Sequence, residues 1–403
     1  MSTNEQVRPE IKTLLAAPIE KEVPFADTEF AERLAKVRRE MAKSHLDFLL
    51  VHHMPNICYL CGYETTLTDW YSCLIVPLEG ELTLQASDPA LAVLYTKITN
   101  LFAVRWDKMN EGSEQLVDLL TDYGVKGKRI GIEPRRPGLF AHTAKVLQEQ
   151  FPGIELVDAS DLILKIRAVK SSAEIECLRR SAKISVIAME AAVAAIRPGI
   201  TENQVAAAAM EAAVNAGSEY FSNMWVRAGN RSSILHATYR RHFIAPGDPI
   251  VMEFGGVYKR YTAPVYGTAV LGRPSERLQR YADICLRTLD LLYDNVRPGR
   301  TMDEVAEAAG KGLDGVDTDV NFTGGYRDRM GYSVGIGFPP DWAEHSVQIT
   351  RGYMNILQPG MVFHTARSVR LPGIISAAFS ETILVTETGC EILTPHRREL
   401  VIV

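Results

Sequence analysis

Apolar and polar positions divide the chain into two regimes. From about residue 27 to 165, short apolar runs alternate with amphipathic stretches. Residues 28–44 place Phe30, Leu34 and Val37 on one helical face. Residues 47–52 read as a short strand, 74–77 and 81–85 as a hairpin turning at Leu78-Glu79-Gly80, 129–133 as another strand, and 139–150 as a second helix. Beyond residue 166 a serine N-cap and an early glutamate open a long alanine-rich amphipathic run to Ile196, which Arg197-Pro198-Gly199 ends.

That second regime repeats itself. Ile196-Arg197-Pro198-Gly199-Ile200-Thr201-Glu202-Asn203-Gln204-Val205 returns as Val296-Arg297-Pro298-Gly299-Arg300-Thr301-Met302-Asp303-Glu304-Val305. Each copy stops a helix and starts another with a threonine cap, and Gln204 and Glu304 complete capping boxes. The strands echo as well, Pro246 to Glu253 against Pro359 to His364. The period is too long for a solenoid. It predicts two α/β halves related by a pseudo-two-fold, with a site in the groove between them.

Composition narrows the setting. With 403 residues the chain exceeds one ordinary core, so two domains are expected. A net charge of −5 without a basic block argues against nucleic acid. No apolar run approaches the roughly 18 residues that span a bilayer. Residues 1–21 lack a signal-peptide core, so a cytoplasmic protein is expected. Residues 1–26 read as a flexible lead-in or dimer-facing arm. The six cysteines are scattered, as suits a reducing compartment. Cys58 and Cys61 read as buried strand or turn residues.

Several ordered motifs carry a resemblance. Asn56-Ile57-Cys58-Tyr59-Leu60-Cys61-Gly62-Tyr63, the boundary Arg167-Ala168-Val169-Lys170-Ser171-Ser172-Ala173-Glu174-Ile175, and the hairpin Val251-Met252-Glu253-Phe254-Gly255-Gly256 resemble the creatinase/prolidase/methionine-aminopeptidase family. The resemblance implies an α+β fold: a creatinase N-terminal α/β domain over residues 27–165, then a pita-bread catalytic domain over 166–403.

Metal enzymes of that family hold their cation with five side chains. The two hairpin aspartates correspond here to Glu253 and Pro264, the loop histidine to Tyr332, and the two glutamates to Ala366 and Ser380. A catalytic divalent cation needs about three or more protein ligands. One carboxylate remains, so no metal and no other cofactor is expected.

Glu253 lies in an apolar strand, where a carboxylate is neutral or partnered. Arg260 or another cation could hold it structurally; a cationic ligand is the functional alternative. Gly255-Gly256 reads as open space for that ligand. His236, seventeen residues earlier, corresponds to a family histidine on the strand before the Gly-Asp turn, and suits proton transfer near neutral pH. A core histidine is the bland alternative. Tyr332 either donates from its hydroxyl or fills the volume of the metal. Trp70 and Trp342 are candidate walls around a planar cation, or ordinary packing aromatics.

Without a Lewis acid, a nucleophile elbow or a Cys/His pair, an ordinary amide is hard to attack. An amidinium or guanidinium carbon is already electrophilic, and a buried glutamate is its natural counter-ion. The run Gly331-Tyr332-Ser333-Val334-Gly335-Ile336-Gly337-Phe338-Pro339-Pro340-Asp341-Trp342, with the altered metal positions, resembles the ectoine hydrolases. That resemblance implies a homodimer that opens the cyclic amidine of the zwitterion ectoine to N-acetyl-2,4-diaminobutyrate, which a separate deacetylase would consume. Glu253 would attack the C2 carbon or activate a water. His236 would shuttle protons, Tyr332 orient the ring, and Trp70 cover it from the other subunit. Arg327, Arg329 or Arg367 would bind the carboxylate. Another amidino- or guanidino-hydrolase and a non-catalytic peptide-binding module are the rival expectations.

Overall fold

The computed structural model describes residues 9–105, 110–138, 141–220, 224–314, 316 and 328–403. The chain forms two compact units, Met1–Ile166 and Arg167–Val403.

The first unit is a mixed sheet of β1 (Phe48–Val51), β2 (Cys73–Pro77), β3 (Thr83–Ala86), β4 (Leu101–Ala103), β5 (Arg129–Ile132) and β6 (Glu155–Asp158), in the order β4-β3-β2-β1-β5-β6. The predicted hairpin is the antiparallel β2–β3 pair, while β5 joins β1 in parallel. The amphipathic helix is Asp27–Lys43, its Val37 and Met41 buried. Two expectations need correction. Cys58 and Cys61 are buried, but on a helix, Met54–Cys61, which starts at a proline-containing first turn and ends at the left-handed Gly62. The segment ahead of residue 27 is no loose lead-in where it is described. It carries a helix, Pro9–Ala16, with Ile11 fully buried. Lys21 Nζ donates to the carbonyls of Val93 (2.5 Å) and Thr96 (3.0 Å).

The second unit repeats one plan. Helices Ser172–Ala195 and Glu202–Asn215 precede β7 (Met224–Ala228), β8 (Pro249–Tyr258) and β9 (Tyr261–Val270). Helices Glu276–Asn295 and Met302–Gly310 precede β10 (Arg329–Phe338), β11 (Asp341–Thr350) and β12 (Val362–His364). The paired capping boxes at Thr201/Gln204 and Thr301/Glu304 both form. The remaining strands are β13 (Arg367–Leu371), β14 (Ile375–Phe379), β15 (Thr382–Val385), β16 (Cys390–Ile392) and β17 (Val401–Ile402). The sheet runs β16-β15-β12-β10-β9-β8-β7, with β11 on β10 and β17 on β9; β13 and β14 form their own hairpin. The halves meet where β9 pairs β10.

Each half has its own apolar core. One gathers Ile184, Ala188, Val226, Met252 and Phe254, the other Leu278, Cys285, Leu289, Ile349 and Phe363. Behind β8, helix serines stitch the backbone. Ser181 Oγ donates to the Gly256 carbonyl (2.6 Å) and Ser185 Oγ to that of Ala263 (2.7 Å). The two glycines of β8 serve this packing and are not open space. A Cβ on Gly256 would lie 2.6 Å from Ile184, and one on Gly255 2.7 Å from Thr262 and 2.9 Å from Trp342. Only a residue without a side chain permits such close approach.

The boundary motif has a physical role. Arg167 (3.0 Å) and Lys170 (2.6 Å) both ion-pair with Glu344 on β11, which is 3 % exposed. Arg167 also donates to the Ile336 carbonyl of β10. The start of the unit is thereby tied to the strands that carry Tyr332 and Trp342. Removing the acid would leave two buried cations, a loss of about 3–5 kcal/mol. Urea denaturation of Glu344→Ala is expected to show a destabilisation of that order, whereas a change of about 0.5 kcal/mol, typical of surface sites, would show that the pairs are not buried as described.

Candidate active site

Glu253 sits mid-strand in β8, with Trp225 of β7 directly opposite on one side and Tyr266 of β9 on the other. Direct cross-strand neighbours project to one face, so these three side chains share a surface. Glu253 is 4 % exposed. No hydrogen bond or ion pair reaches its carboxylate among the described residues. Burial pushes its pKa up to about 8, against the opposing pull of Arg227. Arg260 is not its partner: that guanidinium lies over the rings of Tyr220 (4.6 Å) and Phe338 (5.0 Å).

A second group comes from the other half of the sheet. Tyr332 on β10 pairs His364 on β12, and a β-bridge joins Tyr266 to Ser380. Trp342 Nε1 donates to Tyr332 Oη at 2.9 Å. His364 Nδ1 lies 2.7 Å from the same oxygen, and His364 Nε2 lies 2.5 Å from Ser380 Oγ. Burial and Arg329 hold the His364 pKa down at about 3, so the ring is neutral. Burial and the Glu253 charge hold Tyr332 well above the ordinary phenol range. The rings of Trp225 and Trp342 meet edge to face, 5.0 Å between centroids.

His236 does not lie on a strand. It follows the short 3-10 turn Gly229–Ser233 and adopts a left-handed φ of 62°. Its ring is 5.2 Å from that of Trp225. Desolvation, then Arg227, Arg370 and Arg329, lower its pKa, so it is mostly neutral at pH 7. The structure thus brings Glu253, Tyr332, Trp342 and His236 together through Trp225.

The arginines sort differently from expectation. Arg329 lies 5.2 Å from the Tyr332 ring centroid and acts on His236 and His364. Arg367 points into the core instead. It donates to Met330 Sδ (3.0 Å) and the Arg329 carbonyl (2.8 Å), and burial lowers it to about 10. Arg327 lies outside the described residues. Trp70 belongs to the first unit and is 37 % exposed, with its amide bonded to the Leu67 carbonyl. Sequence reasoning missed Trp225, Arg227, Arg370, Tyr266 and His364. Trp225 and Arg227 had a readable signal: they alternate in Met224-Trp225-Val226-Arg227-Ala228, a two-residue period against apolar neighbours. Arg227 is buried and donates to Tyr266 Oη and to the Ile234 carbonyl.

Comparison with known sequences places this arrangement. The model of metallopeptidase family M24 matches residues 176–387, and that of the creatinase/prolidase N-terminal domain matches 33–169. The chain belongs to metallopeptidase family M24. Its fold is the pita-bread fold, preceded in the sequence by a creatinase-type N-terminal domain. It is 28 % identical to the ectoine hydrolase of Halomonas elongata, over 95 % of this chain and 99 % of that protein. It is 26 % identical to the Xaa-Pro dipeptidase of Pyrococcus horikoshii, over 92 % and 99 %. The prolidase structure from Thermococcus sibiricus superposes with a TM-score of 0.81 over 94 % of this chain and 100 % of that one, at 20 % identity, which is a likeness of fold.

The family name implies a metal, and the residues here do not fit one. Glu253 is the only carboxylate among the five corresponding positions. Pro264 has no side-chain donor, and its carbonyl accepts from Thr382 (2.7 Å). Ala366 packs on an apolar cluster of Val251, Tyr266 and Ala378. Tyr332 and Ser380 are engaged with His364. Among the described residues no three His, Cys, Asp or Glu side chains converge.

The raised pKa of Glu253 has a consequence for stability. The folded protein keeps a proton that the unfolded chain releases between its ordinary value of 4.5 and about 8. This group therefore lowers stability as pH rises through that window, and its penalty is complete above it. Glu253→Gln removes the penalty. In thermal unfolding followed by circular dichroism, the Tm of the variant relative to the native chain is expected to climb from about pH 5 to about pH 9, over the window the linkage relation defines. A constant difference would contradict the buried, unpartnered acid.

Proposed function

We propose that this chain hydrolyses the ring amidine of ectoine to N-acetyl-L-2,4-diaminobutyrate without a metal. The observation that carries the reading is the buried carboxylate of Glu253, without a hydrogen bond or ion pair among the described residues, directly across the sheet from Trp225, whose ring meets that of Trp342. An amidinium is a planar delocalised cation. It would offset the cost of ionising a buried acid and present its face to the rings. The likeness to the Halomonas elongata ectoine hydrolase supports the same substrate. An Xaa-Pro peptide bond, by contrast, would need activation that this donor set does not offer.

In this reading the amidinium pairs with Glu253, which acts on C2 as nucleophile or through a water. Tyr332 orients the ring. His236, neutral and with its ring beside that of Trp225, carries the proton shed by the water. Arg329 binds the substrate carboxylate, with Arg227 and Arg370 adding positive potential. The enzyme works as a cytoplasmic homodimer in which the exposed indole of Trp70 covers the partner's site. A separate deacetylase consumes the product.

Purified protein incubated with ectoine, creatine and a dipeptide panel, with and without chelator, tests the reading by product chromatography. Ectoine alone is expected to react, at a rate the chelator leaves unchanged. Glu253→Gln is expected to lose roughly a thousandfold or more, within the range of general acid–base contributions. Retention of about a tenth of the native rate would remove the carboxylate from the chemistry. Dipeptide cleavage abolished by chelator would replace the proposal with a metallopeptidase.

The shared site has its own test. Trp70→Ala is expected to raise KM while sedimentation still shows a dimer. A fully active monomer would contradict it.

A further inference from the structure

We infer that Ser380 and His364 are positioning residues that commit the Tyr332 hydroxyl proton to the substrate side. Ser380 donates to His364 Nε2, and the Nδ1–H so fixed donates to Tyr332 Oη. The order of these bonds follows from hydrogen-bond accounting. Its chemical consequence rests on the proposed function.

Ser380 is fully buried. Its hydroxyl has one partner among the described residues, His364 Nε2 at 2.5 Å. If the hydroxyl only accepted, its own proton would be left unmade in the interior, and such a loss is costly. It therefore donates, and Nε2 accepts. A neutral imidazole carries a single ring proton, which must then sit on Nδ1. Tyr332 Oη, 2.7 Å away, accepts that proton and also accepts from Trp342 Nε1, a group that can only donate. Both acceptor positions of the phenol oxygen are filled. Its own O–H has no acceptor among these neighbours and is left for a bound ligand. The reverse order would strand the Ser380 proton and use the Tyr332 proton on His364.

The free donor matters only after attack. Both nitrogens of a bound amidinium carry N–H and offer no lone pair. Once C2 becomes tetrahedral, the ring nitrogen gains a lone pair and can accept. As the C–N bond breaks, its electron pair stays on nitrogen and the Tyr332 proton moves to it. The water consumed in the reaction supplies the replacement proton, so that H and OH are added across the bond. The resulting phenolate is held by two N–H donors. A bond made only in the transition state changes kcat and not KM.

Nitrogen-15 NMR of histidine-labelled protein reads the tautomer directly, with the His364 signal assigned by its loss in His364→Asn. The expected result is a protonated Nδ1 and a bare Nε2 in the native chain. The opposite tautomer overturns the inference, whatever the activity. In kinetics with ectoine, Ser380→Ala and His364→Gln are expected to lose at least about tenfold in kcat with KM nearly unchanged. His364→Asn, whose amide nitrogen falls near the place of Nδ1, is expected to recover most of that loss. A matching rise in KM, or no recovery in His364→Asn, overturns the positioning role. Native protein that fails to open ectoine sinks the proposed function and leaves the NMR result to decide the hydrogen-bond order. Should the variants not fold, the native tautomer decides alone.

Discussion

The structure turns on one carboxylate held out of water with no hydrogen bond or ion pair to it among the described residues. Glu253 lies in the middle of a ten-residue strand, flanked by strands on both sides and backed by helix Ser172–Ala195. An acid in that position is neutral in the free protein or ionised by a bound cation. The aromatic wall formed by Trp225 and Trp342 suits a flat cation. The nearby arginines suit a ligand that also carries negative charge. A small zwitterion meets both demands, and the proposed reaction uses the same oxygen that binds it.

The metal positions of the family have been put to other use. Tyr332 and Ser380 stand where a histidine and a glutamate would bind the ion. Here they are the two ends of a hydrogen-bonded chain through His364. Ala366 closes an apolar cluster, and Pro264 lends its carbonyl to Thr382. Each vacated ligand position has thus been taken up by contacts of the protein's own. In a metal enzyme the ion would supply positive charge to the reacting group. In the proposed reaction the positive charge resides on the substrate.

Much of this was legible in the chain, because local rules and global fold agree. The threonine capping boxes, the Pro-Gly stops and the hundred-residue repeat announced the two halves, and both boxes form. Glu253, Tyr332 and Trp342 were readable from their places in motifs. What failed depended on side-chain direction. Arg367 directly follows Ala366, which stands at a ligand position of the family, yet it points into the core against Met330. The glycines of β8 suggested room for a ligand, but they admit helix and indole instead. His236 was expected on a strand and lies in a turn, since the 3-10 segment before it breaks the extended run. His364 was hidden because its importance is its contact with Tyr332 and Ser380, which lie 32 and 16 residues away. The Cys58 and Cys61 helix was missed because an apolar eight-residue run has no clear period.

The most direct measurement counts protons at binding. Tyr332→Phe, which on this account binds ectoine but opens it slowly, can be titrated calorimetrically at pH 7 in buffers of different ionisation enthalpy. With Glu253 protonated in the free protein and ionised against the amidinium, binding is expected to release close to one proton per site. Binding with no proton release, or with uptake, would contradict a buried acid that ionises to meet a cation.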